Sequence, residues 1–280
     1  MVLVARRAIN LLVFSMFSLN AAVYDCFLFF NEFELLRCRM AELKDVVDYF
    51  VLVESVETFQ GGNKPLYFEE NRHLFTEHLD RIIYMPIRDK QREDIASPWR
   101  REQYQRGYLG KVLEYAREGD LFLLSDVDEI PKAEVLKNLL ISLNEASPAF
   151  LLGQWGSNFM INRQGATWWG TVVGTYSFFR RYPFHGIRDH RFELIPEQHR
   201  ILEAGWHFSS LGGLKSWAIK LESFSHAEAN TEECKSRENY EREKNSRILV
   251  PIDDSFPTYV RENEERLIAE GFIERYAKEM

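Results

Sequence analysis

The chain carries a cluster of acids that could bind a metal ion. In LFLLSDVDEIP, residues 121–131, three acids directly follow an apolar run. Asp126 and Asp128 are two residues apart, so their carboxylates point the same way in an extended chain, and their repulsion favours a cation between them. Carboxylate oxygens suit Mg2+ or Mn2+, and one or two suffice where a substrate diphosphate completes the shell. The spacing therefore predicts a Mn2+ or Mg2+ site that joins the protein to a nucleotide diphosphate; acids solvated in a loop or capping a following helix are the alternative.

Strands and helices alternate around this cluster. VYDCFLFF (23–30) and YFVLVES (49–55) are apolar enough for buried strands, and the segment between them has apolar residues at helical spacing. A strand, a helix and a strand in this order form a right-handed βαβ unit. RIIYMPI (81–87) and LFLLS (121–125) are further strands, with a helix between them. The alternation predicts an α/β fold with a doubly wound, mostly parallel sheet and helices on both faces, which places the acids at the strand ends where such sheets bind ligands.

The second half of the chain has a different amino-acid composition. Residues 150–184 are rich in Gly, Thr, Trp and other aromatic residues, which favours short strands and loops. The charged stretch 231–247 predicts a solvated helix, and 257–277 predicts an amphipathic helix that packs its apolar side against the domain.

Composition limits the classes of function. The chain has 280 residues, of which 45% are hydrophobic, enough for one large domain with a sizeable core. Its formal net charge of -8 argues against a general nucleic-acid binder, which would present a basic face. The three cysteines fit no zinc pattern, and we interpret them as free or buried thiols. The alternative, in an oxidising compartment, is one disulfide, either Cys26–Cys38 or Cys26–Cys234.

Residues 1–22 resemble a signal peptide or a short signal anchor. Arg6 and Arg7 precede an apolar run, and small residues follow it. A first buried strand or an N-terminal helix of the domain is the alternative. If the segment targets the chain, we expect it in the secretory-pathway lumen or associated with a membrane through its N-terminus; otherwise we expect it in the cytoplasm.

Several long blocks resemble glycosyltransferase family 17. They are the segment 25–55, KPLYFEEN, RREQYQR, LSDVDEIP and AGWHFSSLGG, in this order along the chain. The resemblance covers residues 23–229 and implies a GT-A-like fold, a UDP-GlcNAc-like donor, a glycan or glycoconjugate acceptor, a divalent metal and inversion at the anomeric carbon. It implies a single domain over 23–280, with a nucleotide-sugar half (23–131) and an acceptor half with C-terminal helices (132–280).

The resemblance also favours donor-binding roles for charged residues near the acids. Glu54 ends the strand YFVLVES and could contact the nucleoside, although an ion pair or helix cap suits it equally. Lys64 follows a Gly-Gly pair, which suits a loop that orders over the donor or a plain surface turn. Arg101 and Arg106 lie on neighbouring turns of one predicted helix, where a guanidinium could pair with Asp126 or with diphosphate. We take these four residues and Asp126 as the candidate donor-binding set.

The metal and the acceptor suggest further residues. Because GT-A enzymes often add a late histidine to the metal, the resemblance implies a histidine beside Asp126 and Asp128. His207 is preferred to His226 because its block, AGWHFSS, is among the motifs that carry the resemblance. The aromatic side chains predicted to pack against acceptor sugars are Trp155, Trp168 and Trp169, for which core packing is the alternative.

A carboxylate in the second half would take the proton of the acceptor hydroxyl. By position the candidates are Asp189, Glu193 and Glu228, and no motif chooses among them.

Two other classes of function compete with sugar transfer. An apolar strand ending in D-x-D also begins the aspartate-nucleophile phosphohydrolases, but those have the motif near the N-terminus with Thr or Val after the second Asp, whereas Glu129 stands here. A non-catalytic carbohydrate-binding relative would bind glycan through its aromatics without metal or UDP.

Overall fold

The computed structural model describes residues 21–91 and 97–277. Its β-strands in chain order are β1 Val23–Leu28, β2 Tyr49–Ser55, β3 Ile82–Ile87, β4 Leu121–Asp126, β5 Glu129–Pro131, β6 Ala149–Asn158, β7 Arg163–Gln164, β8 Trp168–Thr175, β9 Arg200–Ile201, β10 Gly205–Ser209 and β11 Ile248–Leu249. Its α-helices are α1 Phe33–Leu43, α2 Tyr67–Asn71, α3 Pro98–Tyr108, α4 Ala133–Ser142, α5 Tyr176–Arg181, α6 Phe184–Asp189, α7 Arg191–Leu194, α8 Gly213–Ser223, α9 Glu232–Lys235, α10 Arg237–Asn245, α11 Thr258–Glu262 and α12 Glu264–Ala269.

One sheet runs through both predicted halves, in the order β11-β7-β6-β8-β4-β1-β2-β3. The pairs β1-β2, β2-β3 and β1-β4 are parallel, as the βαβ pattern predicts. Beyond β4 the sheet is mixed, because β8 runs antiparallel to both β4 and β6. The predicted α/β fold is confirmed; the central strands β1 to β4 are parallel, and in the second half of the chain β9 and β10 also run parallel to β6.

The antiparallel part has a local cause. β6 and β8 are joined by a short connection rather than by a crossover helix, and only antiparallel neighbours can be joined so closely. Sequence periodicity indicated strands there but carried no information on their direction.

Helices cover both faces of the central strands. Because successive side chains of a strand point to opposite faces, Phe50 and Leu52 of β2 pack in one apolar cluster with α1 and α4. Val51 and Val53 pack in a second cluster that includes Phe184 of α6. The continuous apolar runs of these strands are thus explained by burial on both sides.

A third apolar cluster ties the C-terminal segment to the domain. It joins Leu35 of α1 and Trp206 of β10 to Val260, Leu267 and Ile273. The predicted terminal amphipathic helix exists as two shorter helices, α11 and α12, with the predicted apolar side buried. The charged stretch before it likewise forms two helices, α9 and α10, and Tyr240 of α10 is buried.

The cysteines are free thiols, as interpreted from the sequence: Cys26 and Cys38 are buried and Cys234 is half-buried. None of the helices in the described ranges is both long and apolar enough to cross a bilayer. The signal-like segment 1–22 lies outside the described residues except for its last two, and the amide of Ala22 donates to Asp120 Oδ1 at 2.9 Å. The division into halves and the targeting role stay predictions.

Candidate active site

A large cleft opens at the carboxyl ends of β1 and β4. Its volume is about 1290 Å3, and Asp126 and Asp128 both line it. Parallel α/β sheets place their ligands at this edge, so the acids stand where the sequence predicts.

Arg39 of α1 fixes the backbone of the acidic turn from below. Its guanidinium is fully buried and binds the carboxylate of Asp25 on β1 (Nε to Oδ2, 2.7 Å). It also donates to the carbonyl oxygens of Asp126 at 3.1 Å and Glu129 at 2.7 Å. A buried arginine with its five donors used in this way is a rigid template, so the turn is held independently of any ligand.

Asp126 faces two guanidinium groups. Arg106 of α3 donates to its Oδ1 at 2.7 Å, and Arg188 of α6 donates to its Oδ2 at 3.0 Å. Burial raises the pKa of Asp126, but Arg106 and Arg188 more than offset this and the net pKa lies below its usual value. Asp126 is therefore a carboxylate whose two oxygens are occupied by arginines.

Glu129 lies buried beneath the turn. It accepts hydrogen bonds from both terminal nitrogens of Arg188, from Trp168 Nε1 at 2.6 Å and from the amide of Asp126 at 3.0 Å. With these partners it braces Arg188 and Trp168 rather than facing the cleft.

Asp128 is the acid that meets a histidine. β10 pairs with β5 so that His207 stands opposite Glu129, and this register brings His207 Nε2 to 3.6 Å from Asp128 Oδ2. Lys220 of α8 lies 3.9 Å from the same oxygen. Burial raises the pKa of Asp128, but His207 and Lys220 outweigh it and the pKa is lowered. Asp128 is thus ionised beside two nitrogen groups.

A second carboxylate lies near Asp128. Glu32, just before α1, lines the cleft and accepts from the amides of Phe30 at 3.0 Å and Asn31 at 2.9 Å. Burial and, less strongly, the charge of Asp128 raise its pKa. A cation in the cleft would relieve this repulsion.

Of the other donor-binding candidates, Glu54 and Lys64 bind each other. Lys64 Nζ lies 3.1 Å from Glu54 Oε1, and Glu54 also accepts from the amide of Phe68 at 3.1 Å and from Tyr84 at 3.0 Å. Glu54 is fully buried, and burial raises its pKa. Lys64 lines the cleft, whereas Glu54 holds Lys64 in position from behind.

Arg101 also does not line the cleft itself but binds Glu57, which does. Its Nε donates to Glu57 Oε2 at 3.2 Å, and a Cβ added to Gly61 would lie 2.9 Å from its guanidinium carbon. Glu57 and Gln105 line the cleft, while Arg101 packs beneath the Gly61 turn.

The three tryptophans divide between cleft and core. Trp168 lines the cleft, is 38% exposed and stacks on His207 with ring centroids 4.9 Å apart. Trp155 packs on Phe256 in the third apolar cluster, and Trp169 packs against the second. For those two the geometry matches the core-packing alternative.

The three candidate bases also lie in different settings. Asp189 ends α6, lines the cleft and accepts from Gln103 Nε2 at 3.0 Å. Glu193 is exposed on α7, and Glu228 is exposed and hydrogen-bonded to His226 at 2.7 Å. Among the described residues that line the cleft, Asp189 is the one candidate of the three.

Of the three predicted metal ligands, Asp128 and His207 lie side by side, whereas Asp126 binds two arginines. Within residues 21–91 and 97–277, no three His, Cys, Asp or Glu side chains cluster in the manner of a metal site. Asp128 and His207 nevertheless offer an oxygen and a nitrogen donor side by side in the cleft. Two protein donors suit Mn2+ or Mg2+ where a substrate diphosphate supplies further oxygens, so this pair fits the ion, while Asp126 is turned to its arginines.

Sequence reasoning missed Arg39, Arg188 and Lys220, which balance the acids. Each lies in a helix whose local sequence does not distinguish it from other basic surface residues. The repulsion within DVDE was the available signal: it required cations, and the fold supplies Arg188 and Lys220 from distant segments. Arg39 instead pairs with Asp25 and holds the turn by its carbonyl oxygens.

The comparisons with known proteins agree with the resemblance. The sequence model of glycosyltransferase family 17 matches residues 5–247. The β-1,4-mannosyl-glycoprotein 4-β-N-acetylglucosaminyltransferases of Homo sapiens and Rattus norvegicus are each 34% identical over 107 residues. The match covers 36% of this chain and 20% of the length of each relative.

Two solved structures are similar at low identity. A mannosyltransferase from Pyrobaculum calidifontis in complex with GDP-Man and Mn2+ is 12% identical, with a TM-score of 0.41 over 73% of this chain and 61% of the other. The M. tuberculosis glucosyl-3-phosphoglycerate synthase is 11% identical, with a TM-score of 0.37 over 86% of this chain and 91% of the other.

Proposed function

The chain belongs to glycosyltransferase family 17, and from this premise we propose that it transfers N-acetylglucosamine from UDP-GlcNAc to a glycan hydroxyl, with inversion at the anomeric carbon and with a divalent metal. The observation that carries the proposal is the pairing of Asp128 with His207 and Lys220 in the cleft beyond β4. The donor sugar is proposed from the curated relatives, whose name includes N-acetylglucosaminyl transfer.

The donor would lie with its diphosphate at Asp128. Asp128 and His207 would hold Mn2+ or Mg2+, which neutralises charge on the departing diphosphate. The ammonium group of Lys220 is held near Asp128 by a 2.7 Å hydrogen bond to Ser209 Oγ, and in this proposal it would donate to phosphate oxygens of the donor. Asp126 keeps Arg106 and Arg188 fixed behind these groups.

Asp189 is the proposed base. It would take the proton from the acceptor hydroxyl as that oxygen attacks the anomeric carbon from the face opposite UDP. The new glycosidic bond forms as the bond to the diphosphate breaks, so UDP leaves and the proton remains on the carboxyl group. Gln103 holds Asp189 in position at 3.0 Å.

The phosphohydrolase alternative requires a free aspartate nucleophile in the D-x-D segment. Both oxygens of Asp126 accept from arginines, and this pairing disfavours attack by that carboxylate.

A thermal-shift panel of nucleotide sugars with and without Mn2+ tests the proposal. A specific ligand raises the melting temperature by linkage, and we expect the largest rise with UDP-GlcNAc and Mn2+ together. Release of UDP in the presence of a mannose-containing N-glycan then tests transfer. No shift with any UDP-sugar, or glycan binding that needs neither UDP nor metal, would favour a non-catalytic binding protein.

A further inference from the structure

Three aromatic side chains come together on the wall of the cleft outside the acidic turn. The rings of Trp99, at the start of α3, and His226 meet edge to face with centroids 4.6 Å apart, and Phe224 lies 5.4 Å from His226. All three line the cleft, and Trp99 is 48% exposed. An exposed tryptophan beside two further rings offers an apolar surface that nothing in the described fold covers.

A carboxylate orients the imidazole of this group. His226 Nδ1 and Glu228 Oε1 are 2.7 Å apart. Glu228 is bonded to its own backbone amide and to His226, and both interactions lower its pKa, so the carboxylate is ionised. An ionised carboxylate only accepts hydrogen bonds, so Nδ1 carries the proton that faces Glu228, and Nε2 is the ring nitrogen left for a ligand.

The group is close to the proposed reaction centre along the chain and in the fold. Phe224 directly follows the end of α8, whose last turn carries Lys220 beside Asp128. The amide of Phe59 donates to the carbonyl oxygen of Ser223 at 2.9 Å, which anchors this end of α8. Asp128, Trp99, Phe224 and His226 line the same cleft, so a ligand that extends from Asp128 along this wall would contact the aromatic group.

We propose that Trp99, Phe224 and His226 form the subsite that holds a sugar of the glycan acceptor. A pyranose ring has an apolar face of C–H groups and a rim of hydroxyls, which can donate or accept, and this matches an aromatic surface beside an imidazole nitrogen that Glu228 holds in orientation. The proposal rests on the function proposed above, and it replaces Trp155 and Trp169, which pack in the core, with aromatics of the cleft. It also makes Glu228 a positioning residue for His226 rather than the base.

The test is acceptor binding by the Trp99→Ala variant, read by saturation-transfer NMR with a mannose-containing N-glycan oligosaccharide in the presence of UDP and Mn2+. We expect glycan affinity to fall roughly 2- to 10-fold, the scale of one aromatic contact, and Trp99→Phe to restore most of it. Tyr115→Ala is the matched control, because Tyr115 is 69% exposed and does not line the cleft.

A second variant separates positioning from catalysis. In transfer assays Glu228→Gln should raise the glycan KM with little change in kcat, whereas loss of a base would lower kcat. Equal glycan signals in wild type and in a folded Trp99→Ala protein, or no glycan signal in the wild type, would overturn the subsite. Failure of the proposed function would be seen in a different measurement: no UDP-sugar would raise the melting temperature of the wild type. That thermal-shift result is obtained without glycan and is therefore separate from the NMR result.

Discussion

At the acidic turn each carboxylate has cationic partners of its own, and the partners decide what a substitution does. Asp128 meets His207 and Lys220 at 3.6 and 3.9 Å, distances too long for strong hydrogen bonds. Glu129 instead makes short bonds within the protein. We therefore expect Asp128 to bind the ligand's metal ion and Glu129 to stabilise the fold.

Asp128→Asn should weaken UDP–Mn2+ binding by about 10-fold or more while the melting curve without ligand stays close to that of the wild type. The reason is that one of two proposed protein donors to the metal is lost, and even groups behind metal ligands are worth about 10- to 100-fold in affinity. Calorimetric titration of UDP with Mn2+ measures the effect, with Asp45→Asn at an exposed site as the control. Unchanged affinity in the folded variant would remove Asp128 from the metal site.

Glu129→Gln should destabilise the protein strongly. Arg188 would keep its buried position but lose a charged partner, and breaking a buried ion pair costs about 3–5 kcal/mol. Urea unfolding measures the loss. Glu134→Gln, at an exposed site in the first turn of α4, should change the free energy of unfolding by less than about 0.5 kcal/mol; similar losses in both variants would contradict the structural role of Glu129.

Two neighbouring glutamates should respond to pH with opposite signs. Burial and Asp128 raise the pKa of Glu32, so the folded state binds its proton more tightly than the unfolded state, and stability falls as pH rises above about 4.3. Burial also raises the pKa of Glu34, but hydrogen bonds from Arg266 and Tyr259 outweigh it and the net pKa is lowered. Glu34 therefore adds stability above about pH 4.3 that is lost as pH falls through its depressed pKa.

At pH 7, Glu32→Gln should accordingly raise the free energy of unfolding and Glu34→Gln should lower it. Near pH 3 both differences should shrink, because Glu32, whose pKa is raised, is then protonated in wild type as well, and Glu34 loses part of its stabilising effect once the pH lies below the usual glutamate pKa of about 4.3. Urea titrations at the two pH values provide the measurement, and a stabilising Glu34→Gln or a destabilising Glu32→Gln at pH 7 would show that the sign of the corresponding pKa shift is wrong.

Among the elements, β8 and β5 approach each other closely beneath the acidic turn. A Cβ on Gly170 of β8 would lie 2.5 Å from the carboxyl carbon of Glu129, which Arg188 and Trp168 hold in place. Gly170→Ala should therefore cost about 1–3 kcal/mol through overpacking and should weaken UDP binding by displacing the turn. Gly110→Ala, whose Cβ would meet Phe184 at an ordinary 3.5 Å, is the control; equal stability of the two variants would mean that Glu129 can move aside.

The same elements show how far sequence reasoning reaches. The β1-α1-β2 unit and the strand before the acids were predictable, because long apolar runs and helical spacing depend on residues close together in the chain. The β5-β10 pairing, which brings His207 to Asp128, joins segments about 80 residues apart and has no local signature. His207 itself was proposed through the family resemblance, but the pairing was not predicted. Arg188 and Trp99 were not predicted, because only their contacts with residues distant in sequence mark them as site residues.

For the whole molecule, the two ends of the chain differ in what they contribute. At the N-terminal side the described residues begin beside β1, where the amide of Ala22 donates to Asp120. At the other end, residues beyond the family match form part of the core: Phe256, Val260 and Leu267 are buried in the third apolar cluster. Arg266 also binds Glu34 of α1 at 2.6 Å.

We therefore expect a protein that starts at Ala21 to melt cooperatively near the temperature of the full chain and to keep its UDP–Mn2+ shift. A protein that stops at Leu249 should melt at least several degrees lower or aggregate, because Leu35 and Trp206 would lose their apolar cover, and burial of one large apolar side chain is worth about 1.5–3 kcal/mol. Calorimetry of the two shortened proteins beside the full chain measures both effects. Loss of cooperative melting on removal of residues 1–20 would make that segment a part of the core and would contradict its interpretation as a targeting signal.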